Sequence, residues 1–321
     1  MSPEAFAPLP TPTNAEGQPR RTGVEIELGG LEEARCAALC AEHLGGRARQ
    51  VDTAIWRVEE SEIGTLEVYL DTALKDFEKT ALRDAALSVG REVIPVEIVS
   101  EPLEREGLVR LDALREGLRG AGALGSGGGV FFGFGVHLNV EMAGRETVVP
   151  VLLAYALIED WLRAANPIDQ MRRVLPFTAP YPTRLVRRLI ALGPRADLRH
   201  VMDAYAQEAP SRNHGLDMLP LFAHLDAERI APALTETTSP RPAYHFRLPD
   251  CRIDEPGWSL DSEWRRWRTV ERVAEDAALL AALAAAWAEA HPGLTLSRQD
   301  WAARCGRVLE AHGLADAGAG A

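Results

Sequence analysis

Five short stretches of this chain alternate apolar residues with acids, imidazoles or a guanidinium: 24–28 (VEIEL), 66–68 (LEV), 96–98 (VEI), 136–140 (VHLNV) and 244–248 (YHFRL). A period of two is the signature of a β-strand, whose successive side chains point to opposite faces of its sheet. Each stretch therefore buries its Val, Ile, Leu or Phe on one face. On the other it presents Glu25, Glu27, Glu67, Glu97, His137, Asn139, His245 and Arg247. Placed in one sheet, these strands would gather four carboxylates, two imidazoles and a cation on a single face. Hard oxygen donors in that number suit Mg2+ or Mn2+ with phosphates bound.

The rest of the chain reads as a mixture of strands and helices. A strand near 22–28 leads into a helix from Leu31 to Leu44 that Gly45-Gly46 would end. Strands are expected near 51–59 and 63–70, then a helix from Leu74 to Gly90, a strand over 93–101 stopped by Pro102, and a helix from Leu111 to Leu118. The strand 130–141 follows a glycine-dense segment, and a helix runs from Pro150 to Asn166. Residues 167–240 are irregular, with helical pieces near 184–192 and 197–208. A strand at 242–248, a long Ala-rich helix from Leu260 to Ala290 and a short one over 298–312 complete the pattern. Early strands, late helices and a returning strand indicate α+β rather than βαβ alternation. Residues 1–21, rich in Pro and small side chains, read as a disordered tail, as do 313–321. Between them, 22–255 form the mixed domain and 256–312 a helical extension packed on it.

Charge narrows the function classes. Acids outnumber bases 47 to 35, giving a net charge of −12, and the bases are almost all arginine. That balance argues against a nucleic-acid surface while leaving room for a local basic pocket. No apolar run is long enough to span a bilayer, and residues 1–20 lack the apolar core of a secretory signal, so a cytoplasmic location without a membrane partner is expected. Cys36, Cys40, Cys251 and Cys305 form no C-x-x-C pair and read as reduced, buried thiols.

Each candidate site residue has an ordinary structural explanation beside the functional one. Glu25 and Glu27 lie about 6–7 Å apart along a strand, a spacing that reaches two neighbouring divalent ions, with Gly23 leaving backbone room beside them. The same alternation also describes a solvated acidic face. Glu67 and Glu97 share that ambiguity, and Glu101 ranks below them. His137 and Asn139 sit in an aromatic-rich strand where inward polar groups need partners, either a ligand or a core hydrogen bond. Arg247 offers planar bidentate donors to phosphate, or an ion pair to a glutamate. The Gly125–Gly129 run lacks the Gly-Lys-Ser/Thr of a phosphate loop and reads as a connection. Arg212-Asn213-His214 lies in an irregular segment of the kind that carries substrate contacts. Trp264, Trp267 and Trp287 read as packing residues.

In this order the motifs resemble a known family. Gly23-Val24-Glu25-Ile26-Glu27 is similar to the opening G-x-E-x-E strand of the carboxylate–amine ligases related to glutamine synthetase and glutamate–cysteine ligase. Val96-Glu97-Ile98-Val99-Ser100 before Pro102, Gly135-Val136-His137-Leu138-Asn139-Val140 and Tyr244-His245-Phe246-Arg247 resemble successive strands of their amidoligase branch. Two positions depart from its pattern: Asn139 stands where the branch has a second histidine, and His245 where it has a glutamate. The resemblance implies a glutamine synthetase-like catalytic domain, with a curved, mainly antiparallel sheet backed by helices and a helical C-terminal segment. It also implies an ATP-dependent enzyme that joins a small-molecule or peptide carboxylate to an amine through an acyl phosphate. Glu25, Glu27, Glu67, Glu97, His137 and His245 would hold Mg2+ or Mn2+. Arg247, His137, Asn139 and Arg212 would contact ATP, and Arg247, His137 and Glu27 would serve catalysis. The alternatives are a metal-dependent hydrolase without ATP and a catalytically silent nucleotide-binding module.

Overall fold

The computed structural model describes residues 5–70, 94–127, 133–169, 172, 178–235, 238–291 and 297–314. The helix expected over 74–90 lies outside them. The strands are β1 (Thr22–Leu28), β2 (Arg47–Asp52), β3 (Ile55–Ser61), β4 (Gly64–Leu70), β5 (Val96–Ser100), β6 (Val136–Glu141), β7 (Leu216–Asp217) and β8 (Ala243–Phe246). They form one sheet in the order β2-β3-β4-β5-β1-β6-β8-β7, with every pairing antiparallel. All five alternating stretches thus enter this sheet as the adjacent strands β4, β5, β1, β6 and β8.

The expected curved sheet of the glutamine synthetase type is overturned. The sheet is open and does not curl or close on itself; β2 and β7 are its two edges. Closure needs two edges able to exchange a full ladder of hydrogen bonds. β7 has only two residues to offer.

The apolar face carries Val24, Ile26, Leu28, Leu66, Val68, Ile98, Val136, Leu138, Val140 and Phe246, all buried. The helices are α1 (Glu33–Leu44), α2 (Arg105–Gly120), α3 (Val148–Ala165), α4 (Thr183–Leu192), α5 (Leu198–Glu208), α6 (Leu219–Ile230), α7 (Leu260–Glu275), α8 (Ala277–Ala290) and α9 (Arg298–Ala311). α1 lies on β3 and β4 and touches α2. At the other end of the sheet, Tyr155 of α3 and Trp267 of α7 meet Phe246 with ring centroids 6.3 Å and 5.6 Å apart. Among the described residues, no helix is long and apolar enough to cross a membrane.

Several local boundaries differ from the sequence expectation. The single strand expected at 51–59 is two, β2 and β3, joined by a turn in which Ala54 has φ 57°. The long C-terminal helix breaks at Asp276, whose side chain accepts from the Ala278 and Leu279 amides at 3.0 and 2.9 Å and starts α8. α1 ends at Gly45-Gly46 as expected. At Gly46 (φ 86°) a Cβ would fall 2.3 Å from the Glu59 carbonyl oxygen, so only glycine fits.

The segment expected as a disordered N-terminal tail is instead packed from residue 5 onward. Phe6 and Leu9 are buried, and the Trp264 indole donates to the Ala7 carbonyl at 2.8 Å. The Arg20 guanidinium makes a buried two-pronged pair with Glu271 at 2.9 and 2.7 Å. Tertiary contacts with α7 thus override a composition that suggests disorder.

Candidate metal centre

Register decides what meets on the polar face, because directly opposed residues of an antiparallel pair share a face. Glu25 of β1 lies between Val99 of β5 and His137 of β6, and Glu27 opposes Glu97 of β5. Asn139 of β6 lies between Gly23 of β1 and His245 of β8. The strand alternation that buries Val24, Ile26 and Leu28 therefore brings Glu25, Glu27, Glu97, His137, Asn139 and His245 together.

Two groups of three within this cluster could hold a metal ion: Glu27, Glu97 and His137, and Glu25, His137 and His245. In each, one donor atom per residue lies within 4.8 Å of the others. His137 belongs to both, and its proton decides between them. Its Nδ1 is 2.6 Å from Glu25 Oε2, a carboxylate oxygen that only accepts, so Nδ1 carries the hydrogen. With one hydrogen on Nδ1, the ring's lone pair falls on Nε2, which is 3.6 Å from Glu27 Oε1. This arrangement favours the Glu27–Glu97–His137 group, with Glu25 orienting the imidazole from behind. The other group would require His137 to give up the Nδ1 proton.

A second chain of hydrogen bonds runs outward from Glu25. Asn139 Nδ2 donates to Glu25 Oε1 at 2.7 Å, which turns Asn139 Oδ1 toward His245 Nδ1 at 2.8 Å. His245 Nδ1 must therefore donate, leaving Nε2 with the lone pair. Burial holds the His245 imidazole well below its usual pKa, against the opposing pull of Glu25. Burial alone would raise the Glu25 carboxyl, but the His137 hydrogen bond, the two imidazoles and Asn139 together bring it well below the usual carboxylate range. Neutral imidazole beside ionised carboxylate is the protonation state a divalent cation needs.

Backbone geometry protects the same spot. The Gly135 amide donates to Glu27 Oε2 at 2.5 Å. A Cβ on Gly135 would fall 2.8 Å from Arg172 Nη2 and 3.1 Å from His137 Nε2. Arg172 is buried, and its guanidinium donates to the carbonyls of Arg247, Leu248 and Pro249 and to Asp250 Oδ1, so it has little freedom to yield. At Gly23, where the sequence suggested the room was needed, a Cβ would meet Asn139 at 3.5 Å and the Ser100 carbonyl oxygen at 3.9 Å, both ordinary contacts.

Glu67 and Arg212 are engaged outside this cluster, whereas Arg247 lies within electrostatic reach of Glu27 and His245. Glu67 shares the polar face but opposes Val99, which separates it from Glu25 by two strand spacings, about 9–10 Å. Its carboxylate pairs with Arg57 at 2.7 Å and is about half exposed. Arg212 Nε pairs with the fully buried Asp217 at 3.2 Å. Arg247 Nη1 donates to the Arg212 carbonyl at 2.9 Å, and its buried Nε has no acceptor among the described residues. Beyond Val99 an open cleft of ≈ 700 Å³ runs along the polar face, lined by Arg57, Thr65, Glu67 and Glu101. Sequence reasoning missed Asp217 and Arg241, which lie in irregular sequence with no motif to mark them. Gly135 was visible at the head of the G-x-H strand, but sequence reasoning assigned it no role beside His137.

Comparison with known families decides the relationship. The family described as "Putative amidoligase enzyme" matches residues 18–269, more than half of the chain. The chain belongs to this amidoligase family. The match includes every strand of the sheet and all the residues of the cluster. No curated protein and no solved structure matches the chain. A His/Glu cluster able to coordinate a divalent cation in an amidoligase-family chain gives the protein catalytic potential.

Proposed function

We propose that this amidoligase-family protein is a metal-dependent ligase that joins a carboxylate to an amine at the expense of ATP, through an acyl phosphate. The observation that carries the reading is the convergence of Glu27, Glu97 and His137 Nε2 on the open face of the sheet. Two carboxylates and an imidazole suit Mg2+ or Mn2+, and the imidazole shifts the preference toward Mn2+. A bound cation would draw charge from the phosphoryl group being transferred. The chain's own residues have separate tasks. Glu27, Glu97 and His137 hold the cation, Glu25 fixes the His137 tautomer, and Asn139 passes that constraint to His245. Arg247, near Glu27 and with its Nε–H unused, suits a phosphoryl oxygen. The ≈ 700 Å³ cleft beside Val99 has room for a substrate, which can enter without opening the core.

A metal-dependent hydrolase acting without ATP is the second reading. It is favoured by the compact three-donor group, which needs no nucleotide to form, and by the engagement of Arg57 and Arg212 with protein carboxylates.

Thermal unfolding with Mn2+, a non-hydrolysable ATP analogue and both together separates the two readings. The ligase reading expects nucleotide stabilisation that requires the metal, and release of phosphate only when both carboxylate and amine are present. Stabilisation by Mn2+ alone, with amide cleavage in its presence, would replace it with the hydrolase. Glu27→Gln should remove the Mn2+ effect and leave the far-ultraviolet circular dichroism unchanged, because Glu27 faces away from the core. Retention of full Mn2+ affinity by this variant would refute the metal assignment.

A further inference from the structure

The polar face has a cationic end at β7 and β8, where Arg241 takes no part in the metal chemistry. Arg241 and Arg247 both act on the charge of His245, Arg212 acts on both arginines, and Arg247 Nη1 donates to the Arg212 carbonyl at 2.9 Å. Asp217 is the carboxylate among them, and it is already committed. It accepts from Arg212 Nε at 3.2 Å and from the Leu219 amide at 3.0 Å.

Arg241 is the unsatisfied member. Its Nη2 lies 3.0 Å from His245 Nδ1. That nitrogen already donates its hydrogen to Asn139 Oδ1, whose orientation is fixed by Glu25, so it has no lone pair to offer. The contact therefore sets N–H against N–H. The carboxylate nearest in reach, Glu25 Oε1, is 3.9 Å away, too far for a hydrogen bond. Arg241 Nε is also buried without an acceptor among the described residues, as is Arg247 Nε. A guanidinium left in this state costs stability that an arriving oxyanion would restore. The Arg241 side chain is 29% exposed, so a solute can reach it.

We propose that Arg241 is an oxyanion seat, and that the carboxylate substrate carries a second anionic oxygen group that occupies it. The substrate class is then a dicarboxylate or an equivalent dianion: one carboxyl group reacts at the metal centre while the other is anchored at the β8 end. The identity of the ligand rests on the ligase reading. The seat itself rests on hydrogen-bond accounting alone.

Titration calorimetry with Mn2+ present tests the assignment on wild type, Arg241→Gln and Arg241→Lys. The probes are succinate, glutarate and adipate, each against the monocarboxylate of matched length, together with a non-hydrolysable ATP analogue. In the wild type at least one dicarboxylate should bind about tenfold to hundredfold more tightly than its monocarboxylate, the worth of one charge-assisted contact. Arg241→Gln should erase that preference and leave Mn2+ and monocarboxylate affinities unchanged. Arg241→Lys, which keeps the charge but loses the fork, should fall between them. A preference that survives Arg241→Gln, or that is missing in the wild type, overturns the substrate assignment. Loss of nucleotide affinity in Arg241→Gln with the dicarboxylate preference intact also overturns it, giving the seat to a phosphate. Inorganic phosphate in metal-free buffer isolates the seat from the reaction. Stabilisation of the wild type that Arg241→Gln abolishes supports the seat even where Mn2+ fails to bind, and equal response of both proteins refutes it.

Discussion

Gly135→Ala should damage the metal centre far more than its single added methyl suggests. The new Cβ would fall 2.8 Å from Arg172 Nη2 and 3.1 Å from His137 Nε2, the nitrogen that carries the free lone pair. Arg172 cannot withdraw without breaking hydrogen bonds to three carbonyls and to Asp250. Overpacking of this kind costs about 1–3 kcal/mol. Gly135 has no positive φ, so alanine also restricts the unfolded chain and returns about 0.4–1 kcal/mol. The net destabilisation is about 1–2 kcal/mol, a fall in Tm of roughly 1.5–3 °C for a chain of 321 residues. The loss of metal response is the larger signal. At a Mn2+ concentration of about 100 times the wild-type Kd, binding stabilises by about 2.7 kcal/mol, and a hundredfold loss of affinity leaves about 0.4 kcal/mol. Thermal unfolding in a chelator and in Mn2+ reads both quantities in one experiment. Gly23→Ala is the control, because its Cβ meets Asn139 at an ordinary 3.5 Å, and its Mn2+ response should match wild type. A Gly135→Ala protein with the wild-type Mn2+ response would refute the argument that this backbone position guards the metal-binding nitrogen.

Other consequences can be checked separately. His245 is depressed by burial, so the unfolded chain binds its proton first; the associated stability is complete above about pH 6.5 and is lost as pH falls toward the folded value. In metal-free buffer, His245→Gln should flatten the pH dependence of the unfolding free energy, measured by urea titration over pH 5–6.5, by up to about 1.4 kcal/mol per pH unit, and an unchanged slope would contradict the buried neutral imidazole. Arg20→Met strands a buried Glu271 carboxylate and should cost about 3–5 kcal/mol in urea unfolding, with much of the loss recovered when Glu271→Met is added. All four cysteines are buried; burial pushes the Cys36 thiol up to about 12 and raises the other three. A thiol reagent should therefore label none in the native protein and four in denaturant, and rapid native labelling would show that the thiols are accessible.

Much of the metal face was legible in the sequence because a strand's period of two is a local property. Glu25 and Glu27 had to share a face opposite Val24, Ile26 and Leu28, and likewise His137 and Asn139 opposite Val136, Leu138 and Val140. The α+β class followed from the same patterning, and α1 ended where its two glycines said it would. Family order added the expectation of membership in the amidoligase family, which the match over residues 18–269 bears out.

Which polar residues would touch was not legible, because pairing register is set between strands far apart in sequence. Register places Val99 between Glu67 and Glu25 and leaves Glu67 to Arg57, while it sets Glu97 opposite Glu27. The tautomers of His137 and His245 depend on a hydrogen-bond chain through Glu25 and Asn139 that spans three strands. Arg241 comes to His245 through the turn into β8, and residues 5–21 are held by tertiary partners: Glu271 of α7 for Arg20, Arg105 of α2 for the Phe6 carbonyl, and Glu141 of β6 for Asn14 and Arg20. The sequence by itself determined which side chains each strand offers to the polar face, since alternation is built into a single chain segment. The tertiary structure alone decided which of them form the candidate metal cluster, since that depends on distances of a few ångströms between Glu27, Glu97 and His137, which lie on three separate strands.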